Sequence, residues 1–215
     1  MFNPSHSVLL IQRQKGSILR SKALLIFAHR GEAGHFFKVY PYRKPVKEIP
    51  GLYESDNHLI LITGEGGENV KISLQTVLNL RQLDIAEIIN MGIAGALNPK
   101  LDLNEPYEIR YVLKIKDEEE LESESFDIES ESALKCITAD KPISSSAEAI
   151  RLSEIGDIVD MEAWYIAKVA AFHDKQIRVI KLISDYPGVP NPGNMVEQAP
   201  RYSHMLYKYY ESHIN

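Results

Sequence analysis

The 215-residue sequence predicts an α/β fold, a central mixed or parallel sheet covered on both faces. Two observations lead there. Apolar runs of strand length alternate along the chain with stretches of helical period, and clusters of Gly and polar residues follow the runs directly. A third bounds the size: 215 residues, 44% apolar and 25% charged, suit one globular domain spanning 1–215 with no linker of domain scale.

Residues 1–20 resist assignment, although the apolar pieces at 8–11 and 18–19 flank Gly16 as in a hairpin. From Lys22 the pattern sharpens. Residues 23–27, Ala-Leu-Leu-Ile-Phe, read as a buried strand, and Ala28-His29-Arg30-Gly31 leads into a helix beginning near Glu32. Pro41, Pro45, Pro50 and Gly51 make 41–57 a loop with short extended pieces. A second strand covers 58–63, Gly64-Glu65-Gly66-Gly67 is a turn, and 69–83 carries the apolar face of a helix. The third strand, 85–90, ends at Met91-Gly92-Ile93-Ala94-Gly95. Residues 107–115 alternate as one strand, 133–138 form another, and 155–158 lead into a helix over 161–172. The strand at 177–183 ends in Ser184-Asp185, residues 187–192 break the chain, and a last helix covers 196–213.

The net charge of −6 is a local property. Nine acids and no base occupy 117–131, and without them the balance is positive. Such a run reads as a solvated loop or insertion, here 117–132. Lys and Arg are scattered without interleaved aromatics, so no nucleic-acid surface is expected. No apolar stretch approaches the roughly 18 residues of a membrane span, and no basic-then-apolar leader is visible. A lone Cys136 fits a reducing cytoplasm. The seven histidines lack metal-ligand spacing, so neither a metal nor a cofactor is expected.

In open α/β sheets, ligands sit outside the carboxyl ends of the strands. That points to 28–32, 64–67, 90–95 and 184–185. Each has an ordinary reading beside a functional one. Asp185 could cap the next segment or donate a proton in a crevice. Asp160 and Glu162 could be first-turn acids answering a helix dipole, and so could Glu32. The glycine turns match neither the Walker spacing nor the dinucleotide fingerprint.

Taken in order, the elements resemble the nucleoside phosphorylase and nucleosidase superfamily, nearest its methylthioadenosine and S-adenosylhomocysteine nucleosidases. Thr63-Gly64-Glu65-Gly66 is similar to the family's Ser/Thr-Gly-x-Gly turn, and 90–97 (Asn-Met-Gly-Ile-Ala-Gly-Ala-Leu) to its Asn-x-Gly-x-Ala-Gly-Gly-Leu segment. Asp160-Met161-Glu162 resembles Glu-Met-Glu, and Ile183-Ser184-Asp185 resembles Ile-Ser-Asp. The resemblance implies a three-layer α/β/α sandwich of the nucleoside phosphorylase type, with a partly closed mixed sheet. It implies hydrolysis of an N-ribosidic bond: Asp185 protonates the purine, Glu32 activates water, Glu162 takes the ribose hydroxyls, and Met161 packs on the ribose. Ser184 orients Asp185, and Gly92, Ile93 and Ile143 complete the binding set. A small-molecule nucleoside is the implied partner, and a homodimer the implied assembly.

Departures bear on the substrate. Pro142 stands where the family has a base-stacking aromatic, Ile93 replaces a small hydroxyl residue, Lys181 replaces an arginine, and His29 replaces an apolar residue. Glu32 would repel phosphate, leaving Arg30 as the loose cation nearby, so water is favoured over phosphate as nucleophile. A futalosine hydrolase, a phosphorylase and a non-catalytic nucleoside binder remain alternatives.

Overall fold

The computed structural model describes residues 21–41, 45–117, 122–128, 130–189 and 195–214. The hairpin pattern at 1–20 lies outside them, as do Glu118, Glu119, Glu120 and Glu129 of the acidic run.

Ten strands form one mixed sheet: β1 Lys22–Phe27, β2 Leu52–Glu54, β3 His58–Ile62, β4 Ile85–Ala96, β5 Pro106–Ile109, β6 Tyr111–Asp117, β7 Glu122–Asp127, β8 Lys135–Thr138, β9 Ile158–Asp160 and β10 Ile177–Asp185. Among the described residues five α-helices accompany them: α1 Gly34–Val39, α2 Gly67–Arg81, α3 Ser146–Leu152, α4 Ala163–Phe172 and α5 Met195–His213. β3, β1, β4 and β10 lie side by side and parallel. From β4 one arm continues through β10 to β5, and another through β9 and β8 to β6. β5 of the first arm and β6 of the second, which carries β7 on its outer side, are joined by the single residue Arg110, so the sheet curls back on itself.

The central strands are apolar on both faces because both faces are covered. Along β1, Leu24 and Ile26 pack with Val70, Leu74, Val77 and Leu78 of α2 and Ile166 of α4. Leu25 and Phe27, one step out of phase, pack with Phe36 of α1 and Tyr202, Leu206 and Tyr210 of α5. That period-two split produces the three layers.

Several boundaries differ from the sequence reading. The first helix starts at Gly34, after a turn in which the Glu32 amide donates to the His29 carbonyl, rather than at Glu32. The 85–90 strand does not end at Met91; it runs on to Ala96, so Gly92-Ile93-Ala94-Gly95 is strand and not turn. The single strand expected at 107–115 is two, parted at Arg110, which is where the chain changes neighbours from β10 to β8. The acidic loop contains β7, paired antiparallel with β6. Alternation in Glu-Ser-Glu-Ser-Phe-Asp is a strand pattern that the charge count conceals. A short helix, α3, also intervenes, its N-terminus capped by the Ser145 hydroxyl accepting from the Glu148 amide.

Candidate active site

Parallel strands β3, β1, β4 and β10 deliver their C-terminal ends to one edge of the sheet. β9 meets β4 antiparallel at Gly95 and Ala96, so the residues leaving β9 come to the same edge. A crevice of about 240 Å³ opens there. Glu32, Ile93, Ile143, Met161, Glu162, Ser184 and Asp185 all line it. Gly92 lies just beneath: a Cβ there would approach Glu32 Oε1. The eight residues expected to form the site therefore lie together.

Glu32 is 5% exposed and is held by main chain. The His29 amide donates to Oε2 at 2.9 Å and the Ile93 amide to Oε1 at 3.1 Å. Burial raises its pKa, and the two amides and the Lys181 charge pull the other way. Glu162 occupies the position before α4 and accepts from the Gly66 amide at 2.9 Å. Burial first, and then the Asp160 charge, push its carboxyl up to about 7 against the pull of Lys181.

A register shift in the β4–β10 ladder falls at Ser184, between the pairs Ile183↔Ala94 and Asp185↔Gly95. Two steps on β10 thus match one on β4, a bulge of the kind that re-aims a side chain at a sheet rim. The Ser184 hydroxyl donates to Asp185 Oδ1 at 2.6 Å and lies 3.2 Å from the Ala94 carbonyl oxygen. It can serve the carboxyl in either state, donating to the ionised form or accepting from the protonated one.

Beneath the crevice is a group the sequence reading noted only as a replacement. Lys181 is fully buried, its Nζ 2.7 Å from Asp160 Oδ2. Asp160 also accepts from the Thr138 hydroxyl at 2.7 Å and the Ala163 amide at 2.8 Å. Burial alone would lower the lysine pKa, but Asp160, Cys136 and Glu162 raise it beyond its ordinary value. Its signal was available: a lysine inside the apolar run Val179-Ile180-Lys181-Leu182-Ile183 must meet a carboxylate. Arg30, the loose cation of the first loop, does not line the crevice; its guanidinium stacks over Phe37 at 4.5 Å and Tyr53 at 5.1 Å.

Among the described residues the crevice lining holds no Phe, Tyr or Trp ring. Pro142 and Ile143 stand there instead, with Ile93 and Pro187. Trp164 and Tyr165 lie outside it, the indole packed on Phe126 and the phenol donating to Asp140 at 2.7 Å. Larger depressions of about 360 and 620 Å³ lie elsewhere. Their cations are already engaged, Arg178 and Arg110 by Glu108 and Asp127, Lys175 by two carbonyl oxygens. No group of three or more potential metal ligands is found among the described residues. No helix among them is long and apolar enough to cross a membrane.

No protein-family model matches the sequence, and no curated protein matches it. Solved structures do. The 5′-methylthioadenosine/S-adenosylhomocysteine nucleosidase of Campylobacter jejuni is similar with a TM-score of 0.70 at 16% identity, over 89% of this chain and 99% of that one. The corresponding enzyme of Streptococcus pneumoniae, in complex with 8-aminoadenine, gives 0.71 at 14% identity over 87% and 96%. A Chlamydia trachomatis nucleosidase variant bound to methylthioadenosine gives 0.65 at 22% over 90% and 100%. The chain has their fold: the expected three-layer α/β/α sandwich with a mixed sheet, of the nucleoside phosphorylase type.

Proposed function

We propose that this protein hydrolyses the N-ribosidic bond of a purine nucleoside or thionucleoside and releases the free base. One observation carries the reading: Glu32, Glu162 and Asp185 converge on a single crevice at the carboxyl edge of the sheet. The reaction develops positive charge on the sugar and needs a proton on the departing purine. Two buried carboxylates answer the first need where the charge appears. Asp185, paired with the Ser184 hydroxyl, answers the second as general acid.

In this reading Glu162 accepts the ribose hydroxyls, Met161 packs on the sugar as an adaptable apolar wall, and Glu32 orients and deprotonates the attacking water. Ile93, Ile143 and Pro142 clasp the base without a stacking ring. Water is the nucleophile rather than phosphate. Glu32 would repel an anion, Arg30 is spent on Phe37 and Tyr53, and Lys181 is spent on Asp160. Asp185 favours an adenine-type base, whose exocyclic amine donates to the carboxylate while N7 takes the proton.

The test is free purine released from methylthioadenosine, adenosylhomocysteine, adenosine, inosine and futalosine, with and without phosphate, alongside calorimetry. Release that needs no phosphate is expected. Phosphate-dependent release would make it a phosphorylase, and tight binding without release a nucleoside binder. Futalosine cleaved at least about tenfold faster than any adenine nucleoside would overturn the choice of base and leave the hydrolysis standing.

A further inference from the structure

His29 and Glu65 stand on neighbouring turns, after β1 and β3, and their side chains meet, Nε2 to Oε1 at 2.6 Å. Both line the crevice while keeping 55% and 62% of their side-chain surface open. The order β3-β1-β4-β10 puts this pair at one end of the crevice and Asp185 at the other, three strand spacings of ~4.8 Å between the outer two. The main chain of the same two turns holds the carboxylates, the His29 amide on Glu32 and the Gly66 amide on Glu162. The pair is therefore fixed relative to the groups that would face the sugar.

We propose that His29 and Glu65 recognise a hydroxyl on the 5′ carbon, so that the crevice selects 5′-hydroxyl nucleosides over 5′-deoxy and 5′-alkylthio analogues. The inference rests on the nucleosidase reading above. A nucleoside with its base at Asp185 and its ribose diol at Glu162 turns its one remaining arm, C5′, toward the β1–β3 end. Glu65 Oε2 takes no protein donor among the described residues and accepts the 5′ hydroxyl; the open edge of the imidazole supplies the second polar contact. An alkylthio arm offers nothing in return. It displaces water from Glu65 Oε2 and the free edge of the imidazole without replacing those hydrogen bonds, at a cost in binding. Sites built to hydrogen-bond a hydroxyl reject analogues lacking it far more strongly than apolar pockets reject one extra group.

The experiment measures kcat/KM for adenosine, 5′-deoxyadenosine and methylthioadenosine with the wild type, Glu65→Ala and His29→Leu. Adenosine is expected to lead both analogues by about tenfold or more in the wild type. In either variant the three values should draw together, chiefly through KM. Should one variant fail to fold, the other reads the same ratio. Methylthioadenosine cleaved as well as adenosine by the wild type, or ratios unchanged in the variants, would overturn the proposal. Calorimetry of the same three compounds on Asp185→Asn separates it from the activity itself. Adenosine bound preferentially, with no purine released by the wild type, refutes the hydrolase and keeps the 5′ recognition. No binding of any of the three refutes both.

Discussion

Gly92 leaves the space that Glu32 fills: a Cβ on Gly92 would stand 3.1 Å from Glu32 Oε1 and 3.8 Å from Lys181 Nζ. Gly92→Ala should press the carboxylate off the Ile93 amide without straining the strand backbone, since Gly92 lies outside the positive-φ region and alanine can adopt its conformation. Purine release should fall by about tenfold or more, the scale of small misplacements in a preorganised site. Thermal unfolding should stay close to wild type. Full activity in a folded Gly92→Ala protein would mean that Glu32 is not positioned for water.

Asp185→Asn keeps the shape of the side chain and its contact with Ser184 but removes the acid. Turnover should drop by about 10² or more, the usual size of a general-acid contribution, with substrate binding retained. Wild-type rates in this variant would end the proton-donor assignment.

Lys181 and Asp160 form a buried ion pair, and removing one partner strands the other. Lys181→Met should destabilise by about 3–5 kcal/mol in denaturant titrations. The double variant Lys181→Met/Asp160→Asn should recover much of that loss. If the single and double variants are equally unstable, the pair is not what Lys181 contributes.

The Glu162 carboxyl titrates near 7 in the folded protein, above its ordinary 4.5. A raised folded pKa means the folded state holds the extra proton, so the stability it contributes is full below about 4.5 and lost as pH rises through about 7. Glu162→Gln removes that loss. Its advantage in unfolding free energy over wild type should grow from pH 5 to pH 8, by at most about 3 kcal/mol at ~1.4 kcal/mol per pKa unit. It should meanwhile lose activity. Parallel stability profiles would show that Glu162 carries no such strain.

We propose a homodimer, in which a neighbouring subunit covers the crevice mouth. Light scattering should give about twice the 24.4 kDa chain mass, and a monomer at assay concentration would refute it.

What could be read from the sequence was whatever repeats with a simple period or closes a strand. β1 and β3 are nearly unbroken apolar runs and β10 is one interrupted by Arg178 and Lys181, and the polar residues after them fall at the crevice. β4 was cut short because Gly92 and Gly95 look like turn residues. They are glycines for another reason, since Glu32 and Pro187 pack where their side chains would be, Pro187 Cγ only 2.5 Å from a Cβ on Gly95. Nothing local marks such crowding. The break at Arg110 is likewise tertiary, since β5 and β6 differ in which strand they join and not in pattern. The His29–Glu65 contact spans 36 residues, and only the parallel pairing of β1 with β3 brings it about.

Glu32 and Glu162 are gripped by the amides of His29, Ile93 and Gly66, and an amide is supplied by any residue except proline. The anchors of the two carboxylates are thus written in the path of the backbone, out of reach of most substitutions. The side chains at 93 and 29 can change while the N–H beneath each stays in place. Such a site lets the walls around it be rebuilt one side chain at a time. Drift in the lining then changes which molecule fits long before it disturbs where the carboxylates stand.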